Sequence, residues 1–243
     1  MVYSVGRMAG VTVDVYLVRH GRSESNDAGD IILGRCEGSP LVPIGVEQAR
    51  RLGATLGQAG VRPAAVFSSP TARAKSTALL AVEAAGLTCE VVEDAGLHEQ
   101  DVGSWFGQVA SRTFDQVCLA EIGRLGKDFR PPGGESMNDV GARMLAWLDR
   151  LDSSSAVVAG PVFAFTHGGA IRSLVSLIQE WSHARTYETK PENCSVTLIS
   201  RQPPRRQAAP AARHTGKRWS CEFLALAPNE AFSSRDLVNL GPR

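Results

Sequence analysis

The sequence predicts an α/β protein with a mostly parallel central sheet that helices cover on both faces. Short runs of β-branched and aromatic residues alternate along the chain with longer segments in which apolar residues recur at helical spacing. No repeat of fixed period and no linker-like change of composition divides these segments. We therefore expect a single three-layer α/β/α domain over residues 1–243, with a small cap above the carboxyl ends of the strands.

Strands are predicted where the chain is briefly β-branched, aromatic and apolar. The first, Val13-Asp14-Val15-Tyr16-Leu17-Val18, leads into a glycine-containing loop, as buried strands of α/β proteins do. The predicted strands cover residues 13–18, 64–67, 89–92, 162–165, 196–199 and 221–226.

Helices are predicted where apolar residues are spaced by three and four positions. Pro43 suits the first turn of one helix, Ser68-Ser69-Pro70 leads into a second, and Gly168-Gly169 opens the last. The predicted helices cover residues 45–58, about 70–85, 109–125, 137–151 and 168 to about 180.

Composition and charge exclude several classes of protein. Hydrophobic residues make up 43% of the chain and charged residues 21%, which suits a folded globular domain rather than a disordered one. The formal net charge of +1 gives no overall field that would steer the chain onto nucleic acid or an anionic membrane. Apolar runs are also too short to cross a bilayer. We expect neither nucleic acid nor membrane as a partner.

The five cysteines are scattered and form no CxxC pair, so they predict neither a zinc ribbon nor a dithiol motif. An odd number of free thiols is typical of a reducing compartment. The amino-terminal region lacks the basic and apolar segments of a signal peptide. A cytoplasmic location is expected on these grounds.

A basic segment over residues 201–218 lies between the last two predicted strands. It contains six basic side chains and no acidic one, together with three prolines, and is predicted to be a long exposed loop. The sequence leaves two interpretations open: docking of an acidic partner, or a solvated insertion without a role of its own.

Chemistry is predicted where two strands end in histidine. Arg19-His20-Gly21 follows the first strand, and His167-Gly168-Gly169 follows the fourth. Ligands of open α/β sheets bind outside the carboxyl ends of the strands, so the two histidines are expected to converge. Arg19 offers a fork that fits phosphate oxygens, and Arg73 lies at the start of a helix, where an anionic ligand explains a cation better than helix stability does. The pattern predicts a phosphate-sized anion site beside a histidine.

These motifs, in this order, resemble the histidine phosphatase superfamily, in its phosphoglycerate mutase-like branch. The resemblance extends from about residue 13 to residue 199. Further matching positions are Asn26, Ser39-Pro40-Leu41, Gly45-Val46-Glu47-Gln48-Ala49, Leu97-His98-Glu99, Gly103, Trp105 and Pro132-Gly133-Gly134-Glu135-Ser136.

The resemblance implies a role for each group. His20 would attack phosphorus and become a phosphohistidine, and Glu99 would protonate the leaving oxygen and then activate water. The phosphate would be bound by Arg19, Asn26, Arg73, His167 and Gly168. Free glutamate titrates near about pH 4.3, so this task requires surroundings that raise the pKa of Glu99. Without the family, Glu99 would be interpreted as a solvated loop carboxylate.

No metal and no cofactor is expected, because arginine and histidine meet the phosphate charge and no carboxylate cluster typical of a magnesium site is present. The chain departs from the family at Arg22, Val42 and Phe106. A cap from Ser104 to about residue 130 is predicted to set substrate choice, with Arg22, Trp105 and Phe106 lining the mouth of the site.

The sequence favours a phosphatase, a phosphomonoester hydrolase. His167-Gly168-Gly169-Ala170-Ile171-Arg172 resembles phosphatase members, and the stretch from Glu99 to Pro131 is short beside the insertion of glycolytic mutases. The alternatives are cofactor-dependent phosphoglycerate mutase-type transfer and a low-activity binding module of the same fold. A small-molecule phosphate ester is the expected substrate, phosphoproteins stay open, and the sequence does not determine the oligomeric state.

Overall fold

A computed structural model describes residues 13–153, 160–201 and 219–232. Six strands form one sheet: β1 (Asp14–Arg19), β2 (Ala65–Ser68), β3 (Val91–Glu93), β4 (Val162–Thr166), β5 (Val196–Arg201) and β6 (Trp219–Leu226). The helices of these residues are α1 (Pro43–Gln58), α2 (Ala72–Ala84), α3 (Ala110–Thr113), α4 (Gln116–Leu125), α5 (Met137–Ser153), α6 (Gly168–Gln179), α7 (His183–Glu188) and α8 (Pro228–Ala231).

The strand order is β3-β2-β4-β1-β5-β6. Strands β3, β2, β4 and β1 pair in parallel, whereas β5 is antiparallel to both of its neighbours. The predicted mixed α/β fold with a mostly parallel sheet is therefore confirmed.

Alternate side chains of the central strands pack against different helices, which produces the three layers. Val15 and Leu17 of β1 join a core formed with α5 and α6, where Trp147 and Leu174 are buried. Tyr16 and Val18 point to the opposite face and pack against α1 and α2. Because a buried parallel sheet needs apolar side chains on both faces, β1 and β4 are nearly continuous apolar runs.

Three local predictions differ from the structure. The predicted helix over 109–125 is broken into α3 and α4, because the Asp115 side chain accepts a hydrogen bond from the Cys118 amide at 2.8 Å and starts a new helix. Helices α7 and α8 were not predicted. Arg201 is the last residue of β5 rather than part of a loop.

Residues 202–218, the rest of the basic segment, lie outside the described residues, so the predicted loop stays a prediction. Among the helices that the structure describes, none combines the length and the apolar character needed to cross a bilayer.

Candidate active site

The two histidines that follow β1 and β4 meet at one edge of the sheet. Arg19 and Thr166 are paired in register, so the next residue of each strand emerges at the same level. The His20 amide donates to the carbonyl oxygen of Thr166 at 3.0 Å, and the rings of His20 and His167 lie edge to face with centroids 5.1 Å apart. The parallel register thus brings together residues that are far apart in sequence.

The His20 ring is held in one orientation by two hydrogen bonds. Nδ1 lies 2.7 Å from the carbonyl oxygen of Gly21, which can only accept, so Nδ1 carries the proton. Nε2 in turn accepts a hydrogen bond from Nε of Arg73 at 3.2 Å. Nε2 is therefore the atom whose lone pair His20 presents to a group bound at Arg73.

The environment of His20 keeps the ring neutral. Burial, with the positive charge of Arg73 as the second cause, lowers the pKa of His20 to about 3. Burial also lowers the pKa of His167 well below its ordinary value, and Arg73 acts in the same direction. At neutral pH both imidazoles are therefore neutral, with one ring proton each, which leaves the Nε2 lone pair of His20 available.

This lowered pKa predicts a pH dependence of stability. Between about pH 6.5 and pH 3 the unfolded chain protonates His20 and the folded chain does not, so stability falls as the pH falls. Below about pH 6 the wild type is expected to lose about 1.4 kcal/mol more per pH unit than the His20→Asn variant. Urea unfolding of both proteins from pH 7 to pH 4.5 measures the difference, and parallel curves would contradict a neutral buried His20.

Arg73 is buried in the first turn of α2, with only 2% of its surface exposed. Its guanidinium donates to the carbonyl oxygens of Gly34, at 3.2 Å, and Cys36, in addition to Nε2 of His20. Burial lowers the pKa of Arg73, and the nearby Glu99 carboxylate opposes that shift. The side chain therefore links the nucleophile candidate to the loop that forms the opposite wall.

Arg19 and His167 each carry a buried nitrogen that has no hydrogen-bond partner among the described residues. These atoms are Nε of Arg19 and Nδ1 of His167. The other side of each residue is fixed, because Nη1 of Arg19 donates to the carbonyl oxygen of Pro191 at 2.6 Å and Nε2 of His167 lies 3.0 Å from Oγ of Ser69. Buried polar atoms without a partner are rare in folded proteins. The Nε–H group of Arg19 suits an oxygen of an anionic ligand, as does Nδ1 of His167 when it carries the ring proton.

The two glycines after His167 give other side chains room to approach α6. A Cβ atom added at Gly168 would lie 3.3 Å from Nε of Arg19, and one at Gly169 would lie 2.2 Å from a carboxylate oxygen of Glu99. The Gly169 amide donates to Oε2 of Glu99 at 3.0 Å, and the Gln100 amide donates to Oε1 at 2.9 Å. Both oxygens of Glu99 are thereby held at the amino end of α6.

A charged network behind Glu99 was not predicted from the sequence. Nη1 of Arg143 donates to the carbonyl oxygens of Gly96 and His98, at 2.9 and 3.0 Å. Glu135 accepts from both Arg143 and Arg35, and these two arginines hold its pKa below its ordinary value although burial alone would raise it. The backbone that carries Glu99 is thus tied to α5, which gives the Gly134-Glu135-Ser136 motif a structural role.

An open cleft of about 400 Å³ contains most of the predicted site. Arg19, His20, Asn26, Arg73, Glu99 and Gly168 line it, together with Gly169. Asn26 is exposed at the rim, where its Oδ1 accepts from the Ser23 amide at 3.0 Å. His167 lies fully buried behind His20. The structure therefore brings together all the residues predicted for catalysis and phosphate binding.

The three residues predicted for the mouth of the site do not line the cleft, so their role at the mouth stays a prediction. Arg22 points away to pair with Asp27 at 2.5 Å, Trp105 packs on Phe114 and Phe129, and Phe106 is exposed outside the cleft. None of residues 104–130 lines the cleft. The cleft is lined instead by the apolar side chains of Ile31, Leu33 and Val102 and by the basic side chains of Arg172 and Lys190, none of which was predicted as a mouth residue.

Among the residues that the structure describes, no group of three or more histidine, cysteine or acidic side chains is arranged to hold a metal ion. The expected metal independence stays a prediction, since only the reaction can test it.

Comparison with known proteins defines the class of protein. Residues 15–210 match the model of the histidine phosphatase superfamily (branch 1), and the chain belongs to this family.

Curated relatives are named as mutases. The chain is 34% identical over 166 residues to a 2,3-bisphosphoglycerate-dependent phosphoglycerate mutase of Chelativorans sp. (strain BNC1), covering 67% of this chain and 79% of that protein. A protein of the same name from Rhizobium meliloti (strain 1021) is 33% identical over 177 residues, covering 71% and 81%.

Solved structures with the same fold include phosphatases. A mycobacterial glucosyl-3-phosphoglycerate phosphatase superposes with a TM-score of 0.69 at 26% identity, covering 88% of this chain and 99% of that one. A phosphoglycerate mutase from Bacillus anthracis str. Sterne superposes with a TM-score of 0.71 at 22% identity, which shows the shared fold alone. The proteins similar to this chain thus include some named as phosphatases and some named as mutases.

Proposed function

We propose that this chain is a phosphomonoester hydrolase that works through a phosphohistidine at Nε2 of His20. The observation that carries the proposal is the pair of hydrogen bonds on the His20 ring. Nδ1 is committed to Gly21, and Nε2 presents its lone pair to Arg73 inside the cleft. A neutral imidazole so oriented suits a nucleophile, and the arginine beside it suits the phosphate it would attack.

In the first step, the Nε2 lone pair of His20 attacks phosphorus while the bond from phosphorus to the ester oxygen breaks. The leaving oxygen takes a proton from the Glu99 carboxyl group and departs as an alcohol. Arg19, Arg73 and His167 stabilise the negative charge on the three non-bridging oxygens, helped by the amino end of α6 at Gly168 and by the amide of Asn26 at the rim.

In the second step, Glu99 accepts a proton from water as the water oxygen attacks phosphorus. The bond between phosphorus and Nε2 breaks, inorganic phosphate leaves, and His20 returns to its neutral form. Atoms and charge balance without a metal or an added cofactor.

The proposed role of Glu99 predicts a dependence on the leaving group. A Glu99→Gln variant cannot donate the proton, so it should lose more activity with an alkyl phosphate than with 4-nitrophenyl phosphate, whose leaving group needs no proton. We expect formation of the phosphoenzyme to slow by about 10²-fold or more with propyl phosphate and much less with the aryl ester. Single-turnover rates with both esters provide the test, and equal losses would contradict an acid role.

A second candidate is a mutase of the type named for the curated relatives, in which the phosphoryl group of His20 passes to another hydroxyl instead of water. Three of those relatives are 32–34% identical to this chain, which favours this candidate.

The two candidates differ in the fate of the phosphoryl group. We expect natural and synthetic phosphate esters to yield inorganic phosphate, with and without a chelator. Conversion of 3-phosphoglycerate into its 2-isomer without net release of phosphate, with 2,3-bisphosphoglycerate added to phosphorylate His20, would establish the mutase instead. Absence of both reactions would leave a binding module of the family.

The proposed substrate is a small phosphate ester, which is supported by the structural neighbour named as a glucosyl-3-phosphoglycerate phosphatase, and a phosphoprotein is the alternative. A cytoplasmic location is part of the proposal. It is supported by the five cysteines, all of which lie in the described residues without forming a disulfide.

A further inference from the structure

A buried group of polar side chains lies behind His167 and takes no part in the proposed reaction. It consists of Ser69 and Thr71, in the loop between β2 and α2, and of His98, the residue before Glu99. Ser69 and Thr71 are fully buried, and His98 has 8% of its surface exposed. Buried polar groups cost stability unless they are hydrogen-bonded, so we expect each of their protons to have an acceptor.

The His167 ring has one nitrogen left for a ligand. Nε2 lies 3.0 Å from Oγ of Ser69 and 3.3 Å from Oγ1 of Thr71. Nδ1 is buried and has no partner among the described residues. Burial lowers the pKa of His167 well below its ordinary value, so the neutral ring carries a single proton on one of these two nitrogens. A phosphate oxygen can accept a hydrogen bond from Nδ1 only if Nδ1 holds that proton.

The hydrogen bonds around Ser69 favour this position of the proton. A serine hydroxyl donates one hydrogen bond and accepts two. The Thr71 amide donates to Oγ of Ser69 at 3.5 Å, and Nδ1 of His98 lies 3.4 Å from the same oxygen. When Nδ1 of His98 carries the proton of its ring, both acceptor positions of Oγ are filled. The hydroxyl proton of Ser69 is then donated to Nε2 of His167, so the ring proton of His167 has to be on Nδ1.

The Thr71 hydroxyl acts in the same direction. It lies 3.4 Å from Oγ of Ser69 and 3.3 Å from Nε2 of His167. Because the acceptor positions of Ser69 are occupied, Nε2 is the acceptor left for the Thr71 proton among these contacts. The opposite tautomer would place an N–H group of His167 against two hydroxyl donors. It would also leave a lone pair on the ring nitrogen that contacts phosphate, which costs a hydrogen bond to a charged group.

We propose that Ser69, Thr71 and His98 are positioning residues, which hold the ring proton of His167 on Nδ1 so that this nitrogen donates to the reacting phosphate. The inference rests on the proposed function, because it assumes that His167 binds the phosphate. The three residues do not line the cleft and act through His167. The two histidines of the site then have the same tautomer, fixed for His20 by a backbone carbonyl and for His167 by side chains.

Nitrogen-15 NMR of the ligand-free chain, labelled at histidine, measures the tautomers without turnover. The nitrogen-15 chemical shift separates a protonated ring nitrogen from an unprotonated one. The signals of His167 and His98 are assigned by their absence from the His167→Asn and His98→Leu variants. In the unmodified chain at pH 7 we expect both rings to be neutral and to carry their proton on Nδ1. A proton on Nε2 of either ring would overturn the proposal.

Leucine and asparagine at position 98 form a matched pair, because they are similar in shape and only asparagine can place an N–H group where Nδ1 of His98 lies. His98→Leu frees an acceptor position of Ser69, so we expect the His167 proton to be shared between Nδ1 and Nε2. Inorganic phosphate should then bind about threefold more weakly in a calorimetric titration. His98→Asn should preserve both the tautomer and the affinity. Equal behaviour of the two variants would contradict a donor role of His98.

The double variant Ser69→Ala/Thr71→Val removes both hydroxyl donors at Nε2 of His167. We expect the Nδ1 tautomer to lose its majority and the affinity for inorganic phosphate to fall about tenfold. Ser195→Ala is the control, because its buried hydroxyl has no partner among the described residues and its loss should change neither result. Thermal unfolding verifies that each variant is folded, and the two variants at position 98 keep the test valid if the double variant is not.

An unchanged tautomer in the folded double variant would overturn the proposal, as would an unchanged phosphate affinity beside a changed tautomer. Turnover by the unmodified chain is scored separately. A chain that hydrolyses phosphate esters but holds the His167 proton on Nε2 contradicts only the positioning role. A chain that shows the expected tautomers and responses but hydrolyses no ester contradicts the proposed function and supports the positioning role.

Discussion

Replacing His20 by alanine is expected to lower kcat for 4-nitrophenyl phosphate by at least about 10⁴-fold. The substitution removes Nε2, the atom that would bond to phosphorus, while the arginines that bind phosphate remain. A steady-state assay at pH 7 measures the loss, and KM is expected to change far less than kcat, because binding does not require the nucleophile.

His183→Gln serves as the matched control for the loss of a histidine. His183 lies on α7 against Tyr187, outside the cleft, so this variant should keep the rate of the unmodified chain. If His20→Ala retained more than a few per cent of the activity, another group would have to be the nucleophile.

Replacing Arg73 by lysine is expected to lower kcat/KM by about 10³-fold, although the positive charge is kept. Lysine cannot reproduce the three directions in which the guanidinium donates, to Nε2 of His20 and to the carbonyl oxygens of Gly34 and Cys36. Loss of these contacts frees the His20 ring and the 34–36 loop and removes a phosphate donor.

Lys75→Gln is the control for this prediction. Lys75 lies two residues along α2 and pairs with Glu93 at the surface, so its loss should leave kcat/KM unchanged and stability nearly so. Arg73→Lys and Lys75→Gln are compared by kcat/KM and by thermal unfolding. A fully active Arg73→Lys enzyme would show that bidentate geometry at this position is unnecessary.

The residues of the site could be predicted because they follow strands. β1 and β4 are apolar runs that can be identified from composition alone. In a parallel sheet, the residues that follow such strands lie at the same edge. His20 and His167 therefore meet as expected, and Arg73 follows from the same rule applied to β2. Ser69 follows β2 in the Ser68-Ser69-Pro70 run, but nothing in that run predicts its contact with His167.

Strand direction, the break between α3 and α4 and the packing of Trp105 could not be predicted from local composition. The antiparallel direction of β5 depends on the connection before it, since an apolar strand has no sequence mark of its direction. Phe114 continued the helical spacing of its neighbours, which concealed the break that Asp115 introduces. Trp105 was expected at the mouth, but aromatic partners from its own segment bury part of its surface.

The walls of the cleft come from loops, and their placement is the least predictable part of the fold. Ile31 and Leu33 line the same cleft as Arg172 and Lys190 only because separate loops and α6 converge above the sheet. No spacing in the sequence connects these positions. The chemistry of the site can thus be predicted from the sequence, whereas the residues that line the rest of the cleft can be identified only from the structure.

The phosphohistidine is the central claim, and trapping it is the most direct test. The Glu99→Gln variant is mixed with 4-nitrophenyl phosphate, quenched in base to preserve a nitrogen–phosphorus bond, and digested for peptide mass spectrometry. A phosphoryl group on the peptide that contains His20, absent when His20→Ala is added, is the expected result. Rapid release of nitrophenol with a phosphoryl group on any other residue, or with none on the protein, would contradict the account.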